Sequence, residues 1–152
     1  MIAIFWTITA LYVIIISILC FAYKKIKTFK PSYENLTSRF SILVPFRNEA
    51  KNLEGLLNSI EALEYPKSLF EVIFVDDDSE DNSIEIIEGF ITSKKVSNIL
   101  IIKNIRHSNS PKKDAMQTAI SKAKFEWIVT TDADCFVPNL WLQCFDAFIK
   151  SH

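Results

Sequence analysis

The sequence predicts an α/β protein with a mostly parallel sheet and flanking helices, preceded by one membrane-spanning helix. Three observations predict it. An uncharged apolar run fills residues 2–23. Beyond it, short runs rich in Ile, Val and Phe alternate four times with segments of helical period. The acidic residues then gather just after those apolar runs, where an open parallel sheet presents the carboxyl ends of its strands.

Ile2–Tyr23, "IAIFWTITALYVIIISILCFAY", contains no charged residue. Roughly 20 apolar residues cross a bilayer core as a helix, so the run is long enough. Its polar breaks, Thr7, Thr9 and Ser17, carry hydroxyls that can bond back to helix carbonyls. Trp6 and Tyr23 stand near the two ends, where amphipathic rings suit the bilayer interfaces. A cleaved signal peptide fits less well. No Lys or Arg precedes the run, the run is too long, and "FAYKKIK" offers no small-residue cleavage site. Lys24, Lys25, Lys27 and Lys30 follow it. Positive charge beside a span stays on the cytoplasmic side, so the expectation is a single-pass membrane protein whose domain faces the cytosol.

The boundaries read as a transmembrane helix over 1–23, a polar, Pro-containing linker over 24–39 and one domain over 40–152, of a usual domain size. A formal net charge of -1 excludes an overall basic field, so no nucleic-acid partner is expected. Cys20, Cys135 and Cys144 are far apart and form no C-x-x-C, which speaks for a reducing compartment and against a zinc site. Cys135 reads as a small buried residue.

"FSILVP", from Phe40 to Pro45, reads as a buried strand. Leu53, Leu56, Leu57, Ile60 and Leu63 follow at spacings of three and four, an amphipathic helix with Asn48 as its candidate N-cap and Pro66 beyond its end. "FEVIFVDDD" is a second strand, and Ile84, Ile87 and Ile91 mark a second helix. "NILIIK" is a third strand and "SPKKDAMQTAISKAK" a third helix. "EWIVTTDAD" is a fourth strand, and "PNLWLQCFDAFIKSH" a last helix opened by Pro138. Near-continuous apolar strands are expected when helices cover both sheet faces. Gly55 and Gly89 are the only glycines, so no Gly-rich phosphate loop is present.

The first strand delivers Pro45, Phe46, Arg47, Asn48 and Glu49 to the rim; the second delivers Asp76, Asp77, Asp78, Ser79 and Asp81; the fourth delivers Asp132 and Asp134. So many carboxylates near one point need cations or protons to offset them. A divalent metal shared with a ligand's phosphates would do so, and all-oxygen donors favour Mg²⁺ or Mn²⁺. No His neighbours either acidic cluster in sequence, which argues against zinc. Asp78, Ser79 and Asp81 serve equally well as helix caps. Asp132 and Asp134 are followed by Pro138 and Asn139, which already open the next helix, so a capping role there is redundant. Lys112 and Lys113 oppose the dipole of the helix they open. A nearby phosphate or a solvated surface would each account for them. Trp127 and Trp141 are expected in the core, with Trp141 also placed to floor a pocket beside Asp134.

With these residues together, the chain resembles the family-2 glycosyltransferases of the GT-A (Rossmann-like) fold. The matching stretches are "SILVPFRNEAKNLEGLLNSIEALEYP", "FEVIFVDDDSEDNS", "KKDAMQTAISKAKFEWIVTTDADC" and "VPNLW", in family order and spacing. The resemblance implies transfer of a sugar from a nucleotide-diphosphate donor, most often a UDP-sugar. It implies that the segment from Pro45 through Arg47, Asn48 and Glu49 lines the nucleotide pocket with Asp76, and that Asp77 reads the base. "DAD" matches the family's D-x-D motif. Asp134 would hold Mn²⁺ or Mg²⁺, with Asp132 near the ribose or metal, and Lys112 or Lys113 would face the diphosphate. A membrane anchor fits relatives that act on lipid-linked or polysaccharide acceptors.

Family members continue well beyond D-x-D into an acceptor-binding half that carries the general base. The expectation is therefore a truncated GT-A domain with no catalytic base of its own. The alternative is a non-catalytic, membrane-anchored nucleotide-binding or regulatory α/β module. A phospho-receiver would place its acidic pair after the first strand, and a D-x-D-x-T phosphatase would need a Thr that "DADCF" lacks.

Overall fold

The structure is a computed structural model that describes residues 1–25, 29, 31, 33 and 35–151. Lys27 and Lys30 of the expected basic flank, part of the expected linker, and His152 lie outside the described residues. The chain forms two units, Met1–Lys30 and Pro31–His152.

The first unit is helix α1 (Ile2–Lys24), long and apolar enough to cross a membrane, with none of its residues buried. Its hydroxyls bond back as expected: Thr7 to the Ile4 carbonyl, Thr9 to Phe5 and Ser17 to Val13. The Ser and Thr hydroxyls of the helix are thus each satisfied by its own backbone on the apolar surface.

The second unit is a GT-A-like parallel sheet. Its elements run β1 (Phe40–Phe46), α2 (Ala50–Glu61), β2 (Phe70–Asp76), α3 (Ser83–Lys94), β3 (Ile99–Lys103), α4 (Pro111–Ile120), β4 (Trp127–Thr130) and α5 (Trp141–Ser151). The strand order is β3-β2-β1-β4, and every pairing is parallel. The chain therefore starts in the middle, grows one way to β3, then returns to the other side of β1. Right-handed crossovers put the helices of the two directions on opposite faces. The core shows this partition. Ile42, Val44, Val72 and Phe74 pack with Leu53, Leu56, Leu57 and Ile60 of α2, Ile87 of α3 and Leu142 of α5. Leu43, Ile73 and Val75, one residue out of phase, pack with Ala115 and Ala119 of α4. A one-residue shift in a strand changes face, so the alternation selects which helices each side chain meets.

Several expectations are corrected by position in the sheet. β1 and β2 are buried almost throughout, but β3 and β4, each with one strand neighbour among the described residues, are edges and are partly exposed. Trp127 lies on β4 and is 41% exposed rather than in the core. β4 ends at Thr130, short of the expected Asp134. α5 opens at Trp141, not Pro138, whose carbonyl instead accepts from the Trp141 amide in a turn. Trp141 packs edge-on against Phe145 with ring centroids 5.6 Å apart. Cys135 is exposed.

Candidate functional site

The reversal of strand order falls between β1 and β4. In an open sheet, ligands bind in the crevice beyond the strand ends at such a point. A cleft of about 500 Å³ opens there. The end of β1 contributes Pro45, Phe46, Arg47 and Glu49, and the end of β2 contributes Asp77. The first turns of α4 contribute Pro111, Lys112 and Ala115, and the turn after β4 contributes Asp132, Ala133 and Asp134. Part of the expected rim, namely Pro45, Phe46, Arg47, Glu49, Asp77, Asp132 and Asp134, thus lines one cavity, of a size that holds a small-molecule ligand.

Asp77 is the most constrained carboxylate in it. Its side chain is 12% exposed. Arg106 donates Nε to Oδ1 at 2.8 Å and its terminal NH₂ to Oδ2 at 2.9 Å, a bidentate fork. Asn104 Nδ2 donates to Oδ1 at 2.6 Å and to the Pro111 carbonyl at 3.1 Å, tying Asp77 to the start of α4. Hydrogen bonding from Arg106 holds the Asp77 carboxyl below the usual carboxylate range, against the opposing effect of burial. Arg106 and Asn104 were not among the candidates read from sequence. The available signal was position: "KNIR" follows β3 as the acidic clusters follow β2 and β4.

The loop that carries Arg106 is held in turn by Asp114, a buried residue in the first turn of α4. Its carboxylate accepts the His107 and Ser108 amides at 3.0 and 2.8 Å and the Ser108 hydroxyl at 2.9 Å. These bonds, the Ser108 amide foremost, lower its pKa.

At the other end of the cleft Lys112 donates to Asp132 Oδ1 at 2.7 Å, and this bond raises the lysine pKa. Asp134 is exposed and, among the described residues, in no ion pair. Arg47 stands 4.0 Å from Glu80. Lys113 is exposed and does not line the cleft, one helical position round from Lys112. Trp141 does not line it either, so the expectation that it floors the pocket fails.

Asp76 and Asn48 do not line the cleft. Asp76 is buried, accepts the Ser79 amide at 3.0 Å, and borders a smaller hollow shared with Asp77 and Arg106. Asn48 has a φ of 56° and is not the N-cap; Glu49 is. Asn tolerates this left-handed conformation better than most residues. Its side-chain oxygen accepts the Glu80 amide at 2.7 Å, while its own amide donates to Ser79 Oγ at 3.0 Å. Asp81 accepts from the Ala50 amide at 3.1 Å and from the Ser83 amide at 3.0 Å, so one carboxylate serves the first residues of both α2 and α3. Asp78 is a second left-handed turn residue, with φ of 68°. These residues lock the two loops together and fix the rim. Asn48→Ala should lower stability by about 1–2 kcal/mol, for the lost bond and the strained φ. Asn48→Gly, which relieves the strain, should cost less, and thermal melts of the two variants check the order.

Among the described residues no three His, Cys, Asp or Glu side chains are grouped so as to hold a metal by themselves. Asp132 and Asp134 are nevertheless hard oxygen donors that open on the same cleft. That donor set fits a Mg²⁺- or Mn²⁺-type ion whose remaining ligands are waters and ligand phosphates.

Comparison with known proteins shows the family. The profile of Glycosyl transferase family 2 matches residues 41–151. Over 114 residues the chain is 32% identical to the poly(ribitol-phosphate) β-N-acetylglucosaminyltransferase TarS of Staphylococcus aureus, covering 75% of this chain and 19% of TarS. The structure of S. aureus TarS in complex with UDP-GlcNAc superposes with a TM-score of 0.66, covering 75% of this chain and 32% of that one. The mannosyltransferase PcManGT of Pyrobaculum calidifontis, solved with GDP-Man and Mn²⁺, superposes with a TM-score of 0.71 at 25% identity, covering 83% of this chain and 36% of that one. The chain thus spans about a fifth to a third of these relatives. With the family profile covering most of its length, the chain belongs to glycosyl transferase family 2.

Proposed function

We propose that this chain binds the donor of a glycosyl transfer, a nucleotide-diphosphate sugar with uridine as its nucleoside, on behalf of a membrane-anchored enzyme. The observation that carries the reading is the fixed Asp77 carboxylate in the same cleft as Lys112, Asp132 and Asp134. One end offers an oriented acceptor for a base, the other offers charges for a diphosphate. A carboxylate has about four lone-pair positions. Arg106 and Asn104 occupy three on Asp77, leaving one. Uracil presents a single imide N–H between two carbonyls and suits one free acceptor. Guanine presents two adjacent donors and suits it less.

Pro45 and Phe46 supply an apolar wall beside the base, and Arg47, Lys112 and the amino end of α4 supply positive potential for phosphates. Asp134 and Asp132 would hold a divalent ion, which when bound neutralises charge developing on the leaving diphosphate. No residue of this chain is assigned as the base that activates the acceptor. The apolar helix α1 is read as a single-pass anchor with the domain on the cytoplasmic side, which suits a lipid-linked or polysaccharide acceptor.

Calorimetry on the full chain in detergent micelles tests the reading. Uridine diphosphate should bind, more tightly with Mn²⁺ than without, and better than guanosine diphosphate. Asp134→Ala should remove the Mn²⁺ dependence. Absence of uridine diphosphate binding to folded protein, with or without the metal, would overturn it.

A further inference from the structure

We propose that Lys112 is the resident counter-cation of Asp132, so that a divalent ion must displace it unless a diphosphate first draws it away. This rests on the donor-site reading and adds an order to it: Lys112 weakens metal binding at the acidic pair until nucleotide draws it off.

The charges of the cleft divide unevenly. Arg106 is held in a bidentate fork by Asp77, and Arg47 leans toward Glu80. Among the described residues, Lys112 is the one cation in an ion pair with either member of the Asp132 and Asp134 pair. A dication drawn to Asp132 therefore meets an ammonium already 2.7 Å from its Oδ1. The pair is also built to exchange. The Lys112 and Asp132 side chains are 68% and 55% exposed, so water screens their attraction and little free energy holds them together.

The lysine has somewhere to go. It lines the main cleft and also a neighbouring hollow of about 420 Å³ with Met116, Thr131 and Asp132. It sits in the first turn of α4, where a positive charge opposes the helix dipole. An anion at that helix end offsets the conflict. Asp132 does so here, and a diphosphate would do so more strongly with its greater charge. Moving Lys112 from Asp132 to a diphosphate frees the carboxylate as the phosphates arrive. Because coupling is reciprocal, nucleotide should raise metal affinity by the factor by which metal raises nucleotide affinity.

The test is a Mn²⁺ titration followed by electron paramagnetic resonance of the free ion, on the full chain in detergent micelles, first without and then with uridine diphosphate. Without nucleotide, Lys112→Met should bind Mn²⁺ about fivefold more tightly than the parent, the scale of an exposed ion pair. Lys112→Arg, which keeps the charge, should match the parent. So should Lys122→Met, which removes an equal charge at the far end of α4. With nucleotide, the gain in Mn²⁺ affinity should be smaller in Lys112→Met than in the parent. The proposal is overturned if Lys112→Met binds Mn²⁺ alone no more tightly, undetectable binding in both included, or if Lys122→Met tightens it equally. Failure of the donor reading shows separately, as no response of the parent to uridine diphosphate, while the metal-only comparison still decides the role of Lys112.

Discussion

Asp77→Ala is expected to weaken uridine diphosphate binding about 100-fold in the presence of Mn²⁺, and Arg106→Ala about 10-fold or more. A hydrogen bond to a charged group contributes about 1.5–3 kcal/mol, and in Asp77→Ala the base would lose its proposed acceptor while Arg106 loses its partner. Arg106 acts by fixing the carboxylate: two of the three bonds that orient Asp77 come from its guanidinium. The double variant should therefore bind little worse than Asp77→Ala alone, far short of the product of the two losses. Arg106→Lys should recover only part of the affinity, because an ammonium cannot reproduce the planar fork. The Asp77 carboxyl titrates below its usual range, so it stays ionised between pH 5 and 8 and base recognition should be flat across that interval. Calorimetry on the parent and these four variants measures all of this. An Asp77→Ala affinity within threefold of the parent would remove Asp77 from the site.

The contrast between Asp77 and Arg106 shows what a sequence exposes and what it hides. Asp77 extends an apolar run directly, and the parallel-sheet rule then sends it to the rim. Arg106 lies 29 residues away in a loop of ordinary polar composition, and only the pairing of β2 with β3 sets the two side by side. Asn48, Ser79 and Asp81 were legible as rim residues, but their roles were divided by backbone geometry: a left-handed φ at Asn48 turned its side chain into a loop clip. Trp127 and Cys135 were misplaced for a related reason. A run such as "WIVT" has the same composition in a central strand or at an edge, and burial depends on a strand order that local pattern does not encode. Alternation along β1 and β2 divides their residues between two faces, but which helices each face meets follows from the strand order and the hand of the crossovers.

Asp146→Ala should cost the domain about 3–4 kcal/mol, the largest stability loss expected of a single polar substitution here. Asp146 is fully buried on α5. Its Oδ1 accepts the Thr37 and Ser38 amides at 3.2 and 2.8 Å and the Tyr65 hydroxyl at 3.2 Å, and its Oδ2 accepts from Lys150 at 2.6 Å. Removing one member of such a set strands the others in a place water reaches poorly. Burial acts to raise the Asp146 pKa, but the bonds from Lys150, Ser38 and Thr37 prevail and bring it down to about 2. A depressed folded-state value means that protonation favours the unfolded chain. The contribution is complete above pH 4, declines as pH falls, and is lost by about pH 2. It amounts to about 2 kcal/mol from the size of the shift. Asp146→Asn should thus be less stable than the parent at pH 7 and converge toward it at pH 2–3 in denaturant titrations; a gap that persists undiminished at low pH would refute the ionised role. The consequence reaches the cleft through the chain itself. Thr37 and Ser38 lead into β1, whose far end carries Pro45 to Arg47, and α5 closes the segment that begins with Asp132 and Asp134. By joining these two segments at the opposite end of the sheet, Asp146 fixes the two walls between which a donor would sit, so Asp146→Ala should also loosen nucleotide binding without touching the ligand.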